Sequence, residues 1–212
     1  MKDTHQFVRR LASDLQPAPA GGPSPARLAV LVGAGSIVSL AAVLAFFSRT
    51  PHLAHGPTTT ILFTALAGVS LAAVAYYAVS TLSYPEAEFQ SLWLLLPLGI
   101  FAAGLSFEMM QVPSAAWPAR LWGDNPLACF TCVALLSLPI LGGALIALRS
   151  GAPTHPYLAG AMAGLLAGGI AAALYTLHCP ENSLLFIGAW HIPAIVLVAV
   201  IGGVAGGRLL RW

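Results

Sequence analysis

Three cysteines are the residues best suited to chemistry in this chain. Cys129 and Cys132 form a C-x-x-C, and Cys179 lies 50 residues further on. Two thiols three residues apart fall on one side of a helix. At a helix start the backbone dipole favours a thiolate, which is the nucleophile and the metal ligand. With His178 the three thiols would make a Cys3His set suited to zinc or another soft metal. Two of them could instead close a disulfide under oxidation. The plainer reading is that they are small hydrophobes at helix ends. Glu108, Glu181 and His191 are further possible ligands. For the two carboxylates interfacial solvation is the plainer reading, and for His191 a buried hydrogen bond. No hydrolase triad, phosphate loop or paired acid and base stands out, so the chain reads as a non-enzyme.

The elements that must hold these residues are membrane helices. Of 212 residues, 58% are hydrophobic and 8% are charged. An ordinary soluble domain carries about 25% charge. A mean hydropathy of +0.84 agrees with a chain that resides in a bilayer. Six apolar runs follow one another: 28–48, 60–83, 91–109, 127–148, 156–177 and 184–206. Each is about 20 residues long, enough at about 1.5 Å per residue to cross a hydrocarbon core of about 30 Å. The runs do not alternate as barrel strands would. The expectation is an all-α, polytopic six-helix transmembrane bundle over 27–212, preceded by an arm over 1–26. The breaks between runs, among them 111–126, read as turns. Gly160, Gly164 and Gly168 recur at four-residue spacing, as do Gly202/Gly206 and Gly203/Gly207, which favours close helix packing.

The cations orient the bundle. With the N-terminus inside, Lys2, Arg9, Arg10, Arg27, Arg149, Arg208 and Arg211 lie inside, and only Arg49 and Arg120 lie outside. That is the positive-inside pattern, and it places both termini in the cytoplasm. Trp93, Trp117, Trp122 and Trp212 sit near the interfaces. Cys129, Cys132, Cys179, His178, Glu181, Glu108 and His191 then all lie at or just inside the outer face. In a bacterium that face meets an oxidising compartment. A net charge of +2 is too small to argue for direct nucleic-acid contact. Nothing in the sequence speaks for or against a homo-oligomer.

The arm has its own pattern. Phe7, Leu11 and Leu15 recur at i, i+4 and i+8, with Val8 beside them, and Arg9, Arg10 and Asp14 elsewhere on the wheel. A helix of about a dozen residues is marginal alone in water. It is stabilised by lying on the bilayer or by docking into a partner's groove. A Pro/Gly/Ser stretch from Pro17 to Pro25 links it to the first span.

Four stretches together resemble a known family. They are Trp122-Gly-Asp-Asn-Pro126-Leu-Ala-Cys129 with Leu135-Leu-Ser137-Leu-Pro139, Leu148-Arg149-Ser-Gly151-Ala-Pro153-Thr, Leu174-Tyr-Thr-Leu-His178-Cys179-Pro180-Glu181-Asn, and Gly206-Gly-Arg208-Leu-Leu-Arg211-Trp212. The chain is similar to the NrsF-type family, bacterial inner-membrane proteins of six helices that negatively regulate extracytoplasmic-function sigma factors. The resemblance implies a membrane-bound anti-sigma factor. Its arm (Phe7, Val8, Arg10, Leu11, Leu15) would hold the sigma factor. Cys129 and Cys179 would sense heavy-metal or oxidative stress, by disulfide or by transient binding of zinc or another soft heavy metal. Cys132 departs from the family pattern, in which that position is usually apolar. The arm also lacks the His-x-x-x-Cys-x-x-Cys motif of soluble zinc-binding anti-sigma domains. The inner segment 84–90, with Glu86 and Glu88, is a candidate to assist the arm. The alternative is a membrane thiol oxidoreductase or a small metal transporter.

Overall fold

The computed structural model describes residues 2–14, 24–46, 58–84, 90–176, 178, 179, 181 and 183–210. It is all-α, with no strand among those residues. Helix α1 spans Lys2–Asp14 and α2 Pro25–Phe46. Helix α3 spans Thr58–Leu82. A 3-10 turn, Ser91–Leu94, leads into α4, Leu95–Gln111. Then come α5 (Trp117–Trp122), α6 (Pro126–Leu148), α7 (Pro156–Thr176) and α8 (Leu184–Leu209). Six of these, α2, α3, α4 with its preceding turn, α6, α7 and α8, are long and apolar enough to cross a membrane.

Segment 111–126 is more ordered than the turn-like break read from the sequence. It holds a 3-10 turn at Ser114–Ala116 and the short helix α5. Pro118 in the first turn of α5 suits a helix start, because the missing N–H would have had no intrahelical partner. Trp117 Nε1 donates to the Val112 carbonyl at 3.1 Å, which folds the segment back on the end of α4. Gly123 ends α5 at φ 54°, a left-handed position that favours glycine. A side chain there would also strike the Phe186 ring.

Spans consecutive in sequence run antiparallel, as do α2 and α6, and small residues set how closely they meet. A Cβ on Gly160 would fall on the Gly202 carbonyl oxygen and 2.9 Å from Gly206 Cα. A Cβ on Gly164 would lie 2.5 Å from Ala199 Cα. Backbones at this separation gain dispersion contact and lose nothing to side-chain entropy. The repeated glycines of α7 and α8 are therefore a packing seam. Helices α2 and α6 meet the same way, where a Cβ on Gly35 would lie 2.6 Å from the Pro139 carbonyl. Ser39 Oγ donates to the Leu136 carbonyl at 2.6 Å across that contact.

Helix α7 is the centre of the bundle and packs on α2, α3, α6 and α8. The core lies where α6, α7 and α8 meet, around Ile140, Leu166, Phe186 and Val198. Thr4 to Arg10 of α1 are exposed, including Phe7 at 64% and Val8 at 56%. Leu15 and the Leu11 side chain lie outside the described residues, as do Glu86 and Glu88.

Candidate functional site

Three helices bring the thiols together. Cys129 sits in the first turn of α6, its N–H bonded to the Asn125 carbonyl at 3.2 Å. Cys179 follows the end of α7, its N–H bonded to the Tyr175 carbonyl at 2.9 Å. His191 lies two turns into α8. Cys129 Sγ and Cys179 Sγ are 3.6 Å apart. One sulfur from each cysteine and a ring nitrogen of His191 all lie within 4.8 Å of one another. The three residues are buried, at 2%, 4% and 1% exposure.

Tyr175 completes the enclosure. Its hydroxyl donates to Cys129 Sγ at 3.5 Å, and its ring lies 5.9 Å from the His191 ring at a tilt of 60°. Phe186 meets the same imidazole edge-on at 6.3 Å. Among the described residues, neither ring nitrogen of His191 has a hydrogen-bond partner of good geometry. Cys179 lies beyond the last turn of α7, and its thiol is pushed above the usual range. The larger cause is its hydrogen bond to Cys129, followed by burial.

The candidate ligands divide into two groups. Cys129, Cys179 and His191 converge. Cys132, one turn further along α6, and His178, next to Cys179, are half-buried and stand outside the three-residue group. The C-x-x-C is therefore split: Cys129 pairs across to α7 rather than along its own helix.

Glu108 and Glu181 hold the cover over the site. Glu108 lies in the last turn of α4 and is 8% exposed. Its Oε1 accepts from Ser183 Oγ at 2.7 Å and pairs with Arg120 at 3.0 Å. Its Oε2 accepts the Leu184 N–H. That carboxylate thus sits on the N-terminus of α8, where the helix dipole favours negative charge. Glu181 Oε1 accepts the Asp124 N–H at 2.7 Å. Trp190 Nε1 donates to the Leu121 carbonyl at 3.0 Å, and its ring lies 5.7 Å from that of Trp122. Together these bonds tie α5 and the turn after it across the start of α8.

Tyr175 is the residue that sequence reasoning missed. Its signal was present, since it lies four residues before Cys179 and so one helical turn from it. An apolar cavity of about 290 Å³ lies between α3, α4, α7 and α8, and His191 and Thr64 are the polar residues on its wall.

The family described as "Negative regulator of sigma F" matches residues 11–212. The chain is 34% identical to the "Anti-sigma-F factor NrsF" of Caulobacter vibrioides (strain NA1000 / CB15N), over 99% of both chains. It is 36% identical to the "Probable anti-sigma-F factor NrsF" of Azospira oryzae (strain ATCC BAA-33 / DSM 13638 / PS), over 67% of this chain and 68% of that one. No solved structure matches it. With a match running from within α1 to the last residue, this six-span chain belongs to the family of negative regulators of sigma F.

Proposed function

We propose that the chain is an anti-sigma factor of the bacterial inner membrane that holds an extracytoplasmic-function sigma factor at the cytoplasmic face. It releases that factor when heavy-metal or oxidative stress acts on Cys129 and Cys179 at the outer face. The observation that carries this reading is the likeness to the Caulobacter anti-sigma-F factor over 99% of the chain. Seven of the nine cations support the orientation with both termini inside.

The binding element is α1. Its exposed Phe7 and Val8, with Arg10 beside them, form a face that a sigma-factor groove would cover. The transmitting element is α8. Pro193 lies two residues after His191, and a proline inside a helix removes one backbone hydrogen bond and allows a bend. The cavity beside His191 leaves room for a shift of α8. Chemistry at the thiols moves the start of α8, and the same helix carries that motion to Arg208 at the inner face. A ligand or modification changes the equilibrium only by favouring one state over the other, so the two states must differ at the thiols. The transporter reading gains little from the cavity, whose apolar wall offers an ion few polar steps.

The test is capture of the sigma factor. The full chain and a chain lacking residues 2–14 are each purified from membranes, and the bound sigma factor is identified by mass. The full chain retains it and the truncated chain loses it, while both insert equally. Equal retention by the truncated chain would remove α1 from the mechanism.

A further inference from the structure

A pair of buried thiols suits either a disulfide or a metal, and the third residue separates the two. A disulfide joins only the two sulfurs and leaves His191 outside the bond. Yet His191 is 1% exposed, neither ring nitrogen meets a hydrogen-bond partner of good geometry among the described residues, and one of them lies within 4.8 Å of both sulfurs. A buried polar atom left unpaired is costly, and a ligand that takes up its lone pair relieves that cost. The sulfur spacing also matters. Two thiolates on one tetrahedral zinc, each about 2.3 Å from it, stand about 3.8 Å apart. The observed 3.6 Å is close to that.

We infer that Cys129, Cys179 and His191 form a three-ligand site for one soft divalent cation, with His191 as the third ligand. As a statement about sensing, this rests on the proposed role of the two cysteines. As a statement about binding, it stands on the geometry. Two thiolates and an imidazole select soft or borderline ions over magnesium and calcium, which demand oxygen. Charge balance agrees. Two thiolates with a dication are neutral overall, which an apolar helix junction tolerates far better than a net charge. In the binding step two S–H bonds break, two sulfur–metal bonds form and two protons leave to solvent. The imidazole lone pair makes the third bond, and no electrons change hands. Because the ligands come from the start of α6, the end of α7 and the first half of α8, the cation would clamp three helices at one point. Cys132 takes no part.

The probe is Cd²⁺ alone, titrated into the full chain in detergent under reducing conditions. One ion binds per chain, with a thiolate-to-cadmium absorption band. The band is lost in Cys129→Ser and Cys179→Ser and kept in Cys132→Ser. His191→Leu keeps the band but weakens binding by about tenfold or more. X-ray absorption on the loaded wild-type protein shows both sulfur and imidazole nitrogen around the ion, a result that needs no variant to fold. Unchanged affinity in His191→Leu, an all-sulfur shell, or no stoichiometric binding would overturn the inference. Sigma-factor capture by the metal-free chain is measured alongside. Its loss with intact cadmium binding would sink the anti-sigma reading and leave the metal site standing.

Discussion

Cys129 chooses its partner by position in three dimensions rather than in sequence. Spacing alone pairs it with Cys132, one turn along the same helix. The structure pairs it with Cys179 at 3.6 Å, because the short connection between α6 and α7 places the start of one beside the end of the other. That both cysteines share a face followed from counting spans. That His191 meets them did not, since nothing in a single sequence gives the rotation of α8 about its axis. Glu108 shows the same limit. Its place near a span end suggested solvation or ligation, whereas it receives the first N–H of α8 and a serine hydroxyl. Glu108→Gln removes the charge from these bonds and lowers stability by about 1–3 kcal/mol. Arg120→Ala costs about 1 kcal/mol or less, because its side chain is 44% exposed and the pair is screened. Thermal unfolding of the two variants in detergent checks the order. Equal losses would mean that the ion pair, and not the helix cap, is what Glu108 supplies.

At the scale of elements, hydropathy was enough to place the spans. A run of about 20 apolar residues can satisfy its backbone in lipid only as a helix. The observed helix ends fall within a few residues of the apolar runs. Segment 111–126 was harder, because α5 has only six residues and is held by tertiary bonds from Glu181 and Trp190. The glycine seam was legible in its spacing, though not the pairing of its members. Gly160→Ala forces apart the α7–α8 backbones and costs about 1–3 kcal/mol. Gly33 has nothing within 4 Å of where a Cβ would stand. Gly33→Ala is therefore neutral or stabilising by up to about 1 kcal/mol, through helix propensity alone. Unfolding midpoints for the two variants check the contrast, and a Gly33→Ala loss as large as that of Gly160→Ala would contradict the seam.

For the molecule as a whole, the small charged fraction is informative through its layout. Few polar groups interrupt the bundle, and the buried Glu108 and His191 lie at the end that holds the thiols and the α5 cover. The amphipathic α1 precedes α2 in the chain, and the start of α2 lies at the other end, where the Tyr76 hydroxyl donates to the Pro25 carbonyl. In the proposed account a signal enters at Cys129, Cys179 and His191 and leaves as a changed hold on the sigma factor. Helix α8 connects the two faces. In this proposal the paired thiols govern release. Its most direct test is the amount of sigma factor retained on membranes before and after exposure to Cd²⁺, for the wild-type chain and for Cys179→Ser. The wild type releases its sigma factor on exposure, and Cys179→Ser holds it throughout. Equal release from both would contradict the proposal.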